Sequence, residues 1–155
     1  MIKNPREQFM DILSDFGDNI KELIDDKKIT VEDFAKSVDI AFSEVYRYLR
    51  KIYLPKLSNL IKIADCYNYS IDFLLGFIPF PEETVFNKTP PFDKRFKQIL
   101  SDNKLTRYKI SKETGISLNR LDDWYNGKFT PSLDKAIILS KYLKMTIDGL
   151  LGRET

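Results

Sequence analysis

The sequence contains no histidine. That removes the side chain most often used near neutral pH as a general base or metal ligand. A single cysteine, Cys66, precludes an internal disulfide and fits a reducing cytoplasm. It follows Ala64 on a helix with a packed face, which predicts a buried structural thiol rather than a redox sensor. Neither sign of charge dominates: the net charge of +2 permits nucleic acid as a partner without requiring it. No apolar run is long enough for a bilayer, and the start, MIKNPREQF, lacks the basic-then-apolar order of a secretory signal. The expectation is a cytoplasmic protein with no membrane partner. Metal-ligand spacing, a Gly-rich phosphate loop and a nucleophile–base set are all missing, so neither an enzyme nor a cofactor is expected. What is present is 155 residues, 43% hydrophobic and 31% charged, enough for one ordinary globular domain or two small ones.

The chain aligns with itself at one constant offset and without a gap. Phe16 meets Phe92, Ile20 meets Phe96, Thr30 meets Thr106, Phe34 meets Ile110 and Ile40 meets Ile116. Val45 meets Leu121, Tyr48 meets Trp124, Pro55 meets Pro131, and Ile71-Asp72-Phe73-Leu74-Leu75-Gly76 meets Ile147-Asp148-Gly149-Leu150-Leu151-Gly152. Caps, prolines and terminal glycines match along with the apolar positions, which marks a true repeat.

Each half reads as five helices. In the first, Asn4-Pro5 starts a long helix to about Lys27, with Gly17 as a candidate kink. Thr30 caps the second helix, the third runs from about Phe42 to Arg50, the fourth follows Pro55, and Ser70 caps a last turn. The second half repeats this from Phe92, with a final turn after Thr146. Between them lies FIPFPEETVFNKTPP, residues 77–91, whose four prolines oppose helix and stiffen the chain. We expect domains at 1–78 and 92–155 joined by a semi-rigid linker, 79–91. In polyproline geometry the whole stretch spans at most about 45 Å, enough for the roughly 34 Å between successive major-groove faces. Its apolar residues Phe77, Ile78, Phe80, Val85 and Phe86 are expected to dock on one or both domains. Tyr48 and Tyr67 align with Trp124 and Leu143, which assigns both to the core.

The most informative stretch is Leu105 to Gly127, LTRYKISKETGISLNRLDDWYNG. Thr106 caps a first helix, Gly115 supplies the turn, and Ser117 caps a second helix that buries Leu121 and Trp124. Helix, glycine turn and second capped helix make a helix-turn-helix. Leu105-Thr106, Ile110-Ser111, Gly115-Ile116-Ser117, Leu121, Asn126-Gly127-Lys128 and Pro131-Ser132 together resemble the phage-repressor (Cro/cI-type, XRE) helix-turn-helix family. The resemblance implies an all-α chain of two tandem five-helix, lambda-repressor-like DNA-binding domains. It implies a sequence-specific regulator of transcription whose partner is double-stranded DNA.

The same resemblance puts DNA contacts at the start and outer face of the third helix of each half. In the second half these are Ser117, Leu118, Asn119, Arg120 and Asp123. Asn119 suits adenine, Leu118 a thymine methyl, and Arg120 a phosphate or guanine. Arg107, where the family has glutamine, and Lys128 are phosphate candidates. The competing reading is a solvated polar face, and Asp122 and Asp123 oppose phosphate unless one accepts from a cytosine amino group. The potential of the whole half is positive, with Lys104, Arg107, Lys109 and Lys112 contributing.

The first half departs from the pattern. Asp39 replaces the turn glycine, Ala41 the capping serine, Val31 the phosphate-binding glutamine and Lys51 the closing glycine. Its third helix offers Phe42, Ser43, Glu44, Arg47, Arg50 and Lys51. All but Glu44 are candidate DNA contacts. A homodimer built on Phe42, Tyr46, Tyr53 and the N-terminal helix is the competing role. Two further readings remain: a protein-interaction module that has left DNA behind, and an antitoxin-like regulator with a protein partner.

Overall fold

A computed structural model describes residues 3–81 and 83–154. The described residues form ten helices and no strand, and they divide into two compact units, 1–85 and 86–155.

The first unit contains α1 (Pro5–Lys27), α2 (Val31–Ser37), α3 (Phe42–Leu49), α4 (Leu57–Tyr67) and α5 (Ile71–Leu74). The start of α1 is set as the sequence predicts: Asn4 accepts from the Glu7 amide and Pro5 takes the first helical position. Helix α1 passes through Gly17 without a break. Gly17 instead admits α3, since an added Cβ there would stand 2.8 Å from the Tyr48 carbonyl oxygen. Phe16, Ile20, Phe34, Val45, Tyr48, Leu60 and Ile63 form a fully buried core at helical spacing. Phe16 and Tyr48 meet edge to face with ring centroids 5.3 Å apart.

Two expectations about α4 fail. Cys66 is exposed, with its thiol donating to the Ser37 carbonyl at 3.5 Å. The packed face of α4 is Leu57, Leu60, Ile63 and Ala64, and Cys66 falls outside it. Tyr67 is only half-buried; it stacks on Phe34 while its hydroxyl reaches Ser37 at the surface.

The second unit contains α6 (Phe92–Asp102), α7 (Arg107–Thr114), α8 (Leu118–Tyr125), α9 (Leu133–Leu143) and α10 (Ile147–Leu150). Trp124 packs edge-on against Phe92 and Phe96, with centroids 6.3 and 6.1 Å away. Ile110, Leu121, Ala136, Leu139 and Leu150 are fully buried around them. The stretch expected to act as linker is divided. Residues 79–85 fall in the first unit and 86–91 in the second. Phe86 is buried under the Arg153 guanidinium, 4.7 Å away, and the Asn87 amide donates to the Arg153 carbonyl at 2.8 Å. Phe80 and Val85 do not dock; both are largely exposed.

Candidate nucleic-acid interface

Helices α7 and α8 owe their geometry to local chemistry. Thr106 Oγ1 accepts from the Lys109 amide at 3.1 Å, and Ser117 Oγ accepts from the Arg120 amide at 3.3 Å. Each satisfies a donor that the first helical turn leaves unpaired. Gly115 takes φ +78°, the left-handed turn that reverses the chain between the helices. With Leu121 and Trp124 buried, the opposite edge of α8 must face water. Ser117, Leu118, Asn119 and Arg120 are all exposed there, as is Lys128 beyond the helix, while Asp123 is half-buried.

Arg107, in the first turn of α7, is held from two sides. Its Nη1 lies 2.9 Å from Asp122 Oδ1 on α8, and its guanidinium sits 4.0 Å over the Tyr125 ring. Lys97 of α6 approaches the same ring at 5.0 Å. Lys97, Thr106, Arg107, Tyr108, Leu118 and Tyr125 border an open groove of about 640 Å³ beside the exposed edge of α8. Asp122, read from the sequence as an obstacle to phosphate, is thus neutralised by Arg107. Sequence reasoning missed the pair, Lys97 and Tyr125. They come from three different helices, and no local spacing signals them. The unit as a whole carries 14 basic and 8 acidic side chains.

The first unit repeats the backbone without the glycines. Asp39 adopts φ +53° where its twin is Gly115, and Lys51 adopts φ +60° where its twin is Gly127 at +73°. Aspartate tolerates this region; lysine is strained there. Helix α3 starts at Ala41 with no side-chain cap. Phe42, Ser43, Arg47 and Arg50 are exposed, but the cations are engaged within the unit. Arg47 donates to the Tyr53 hydroxyl at 2.9 Å, and Arg50 lies 6.0 Å over Tyr46. Lys51 Nζ is 2.8 Å from Asp18 and 3.2 Å from Ser14, both on α1. At the three positions where the second unit offers Arg107, Arg120 and Lys128, the first has Val31, Glu44 and Ile52.

Residues 20–74 match the family model described as helix-turn-helix, and residues 95–155 match that of the Cro/C1-type HTH DNA-binding domain. The chain carries two tandem Cro/C1-type helix-turn-helix domains. The tandem helix-turn-helix chain is similar to the HTH-type transcriptional activator BcrR of Enterococcus faecalis, with 27% identity over 63 residues. The match covers 41% of this chain and 31% of that protein, so the chain spans about a third of that relative's length. No solved structure matches it significantly. The second of the two matched families is by description a DNA-binding domain. Among the described residues no helix is long and apolar enough to cross a membrane.

Proposed function

We propose that the second unit is the principal DNA reader and enters the major groove with the leading edge of α8. One observation carries the reading. A capped helix buries Leu121 and Trp124 and turns Ser117, Leu118, Asn119 and Arg120 to solvent, with Arg107 and Lys128 on its flanks. Asn119 offers the donor–acceptor pair that adenine requires, and Leu118 an apolar contact for a thymine methyl. Arg120 reaches guanine or phosphate, and Asp123 accepts from a cytosine amino group. Ser117 keeps its hydroxyl proton for a phosphate oxygen while its lone pair caps the helix. Arg107 uses one nitrogen on Asp122 and retains other N–H donors for phosphate, joined by Lys128. In a cytoplasmic setting the protein would act on transcription by occupying a duplex site.

A second reading gives Phe42, Ser43, Arg47, Arg50 and Lys51 of the first unit a DNA contact as well. The exposure of Arg47 and Arg50 on α3 favours it.

The test is fluorescence anisotropy of a random-sequence duplex titrated with the full chain at several salt concentrations. The expected result is affinity that falls steeply with salt, as phosphate contacts require. Arg120→Glu should weaken binding strongly. No binding at low salt would move the function to protein partners, and binding indifferent to that reversal would argue against docking through the second unit's motif.

A further inference from the structure

We propose, on the reading of the second unit as a DNA reader, that Phe129 in the loop after α8 is a further contact. Its ring packs on the deoxyribose beside the phosphate that Lys128 takes. Four large apolar side chains are exposed among the described residues of this unit: Tyr108, Leu118, Phe129 and Ile138. Tyr108 and Leu118 border the groove beside the start of α8. Phe129 follows the other end of the same helix and is 59% exposed. Three of the four thus flank the helix that would meet DNA. Covering such surface is favourable, and an aromatic ring carries the most of it.

The exposure of Phe129 does not come from a slack loop. The Asp123 carbonyl, in the last turn of α8, accepts from the Lys128 amide at 2.9 Å and from the Phe129 amide at 3.4 Å. Gly127 turns at φ +73° against α6, where an added Cβ would stand 3.2 Å from the Asp93 carboxylate. Pro131, two residues on, is buried and fixes its own φ. The backbone is set on both sides, and the ring is held outward. The twin position shows the alternative. Tyr53 is half-buried and folds back on its own unit: its hydroxyl donates to Glu44 and accepts from Arg47 at 2.9 Å, and its ring meets Tyr48 edge-on. The second unit has Arg120 and Asp123 at those two positions, and phenylalanine has no hydroxyl, so none of these bonds can form.

The neighbouring side chain identifies the occupant. Lys128 Nζ lies 5.7 Å over the Phe129 ring, so a cation and an apolar face are presented side by side. An apolar protein patch would strip the ammonium of water without replacing it. A nucleic-acid backbone offers a phosphate oxygen and the C–H edge of a sugar at every nucleotide. The excess of 14 basic over 8 acidic side chains in the unit favours that anionic backbone. A sugar contact carries no sequence information, and an uncharged ring releases no counterion. The contact therefore adds affinity for every duplex without adding to the salt dependence.

The experiment is a salt series of anisotropy titrations of a random-sequence duplex with the full chain and its variants. Phe129→Ala should weaken binding about fivefold at every salt concentration and leave the salt slope unchanged. Phe129→Leu, still apolar, should keep most of the affinity. Lys128→Ala should instead lower the slope by about 1. Circular dichroism checks that each variant folds, and sedimentation equilibrium checks its mass. Affinity indifferent to Phe129→Ala, or a loss that comes with a changed slope, would overturn the contact. So would a fall in mass with Phe129→Ala, which would make the ring a protein contact. A wild type that binds no duplex would defeat the reading of the second unit and this contact with it. Binding that Arg120→Glu weakens and Phe129→Ala leaves alone would overturn the contact only.

Discussion

Arg107 and Asp122 hold each other at 2.9 Å across the two helices of the motif, and Tyr125 lies beneath the guanidinium at 4.0 Å. The arrangement aims a long side chain that would otherwise lose rotamer freedom on binding, and it neutralises a carboxylate beside the reading edge. Arg107→Ala should weaken DNA binding about equally for every sequence and lower the salt slope by about 1. Arg107→Lys should fall between, since lysine keeps the charge but not the planar stack. Salt-dependent titrations check both.

Asn119 is the exposed amide at the edge of α8. Asn119→Ala should cost about 1–3 kcal/mol at one base position and relax preference there, leaving the salt slope unchanged. Site selection with wild type and variant makes the comparison, and an unaltered preferred site would remove Asn119 from the contact set.

Gly115 offers a clean measure of backbone strain. A Cβ added there meets nothing within 4 Å, so its conformation alone is at stake. Gly115→Ala should destabilise the second unit by about 1–2 kcal/mol. Asp39→Gly, at the twin position in the first unit, should be close to neutral or mildly stabilising. Denaturant midpoints of the two variants test this pair.

Arg153 and Asp148 form a fully buried ion pair in the second unit, with side-chain exposures of 0% and 2%. Removing one partner strands a charge. Arg153→Ala should therefore cost about 3–5 kcal/mol, and it also uncovers Phe86. The apolar double variant Arg153→Met with Asp148→Leu should recover much of that loss, as thermal melting would show.

Burial pushes the Tyr48 hydroxyl well above its ordinary value near 10. The folded state therefore retains that proton after the unfolded chain has released it. Stability from this source is complete below about pH 10 and declines as pH rises beyond it. Tyr48→Phe should flatten the alkaline decline relative to wild type. Equal alkaline slopes in the two proteins would refute the assignment.

The sequence by itself determined the repeat, ten helices, the side-chain caps at Thr30, Ser70, Thr106 and Ser117, and the exposed edge of α8. All of these rest on local information: apolar spacing, a hydroxyl three residues before an amide, a glycine where φ turns positive. Thr30, Ser70, Thr106 and Ser117 cap as their positions require. It did not determine which charged side chains stay free at the surface. Arg107 meets a carboxylate on the next helix, Lys51 is drawn to α1, and Arg153 enters the core with Asp148. Each pairing joins residues from separate elements, and its partner is chosen by how the helices pack. Cys66 follows the same logic, since one step around a helix separates a packed face from water. The left-handed turn at Asp39 shows the balance from the other side. There the packing of two helices imposes a backbone that glycine would have signalled in advance.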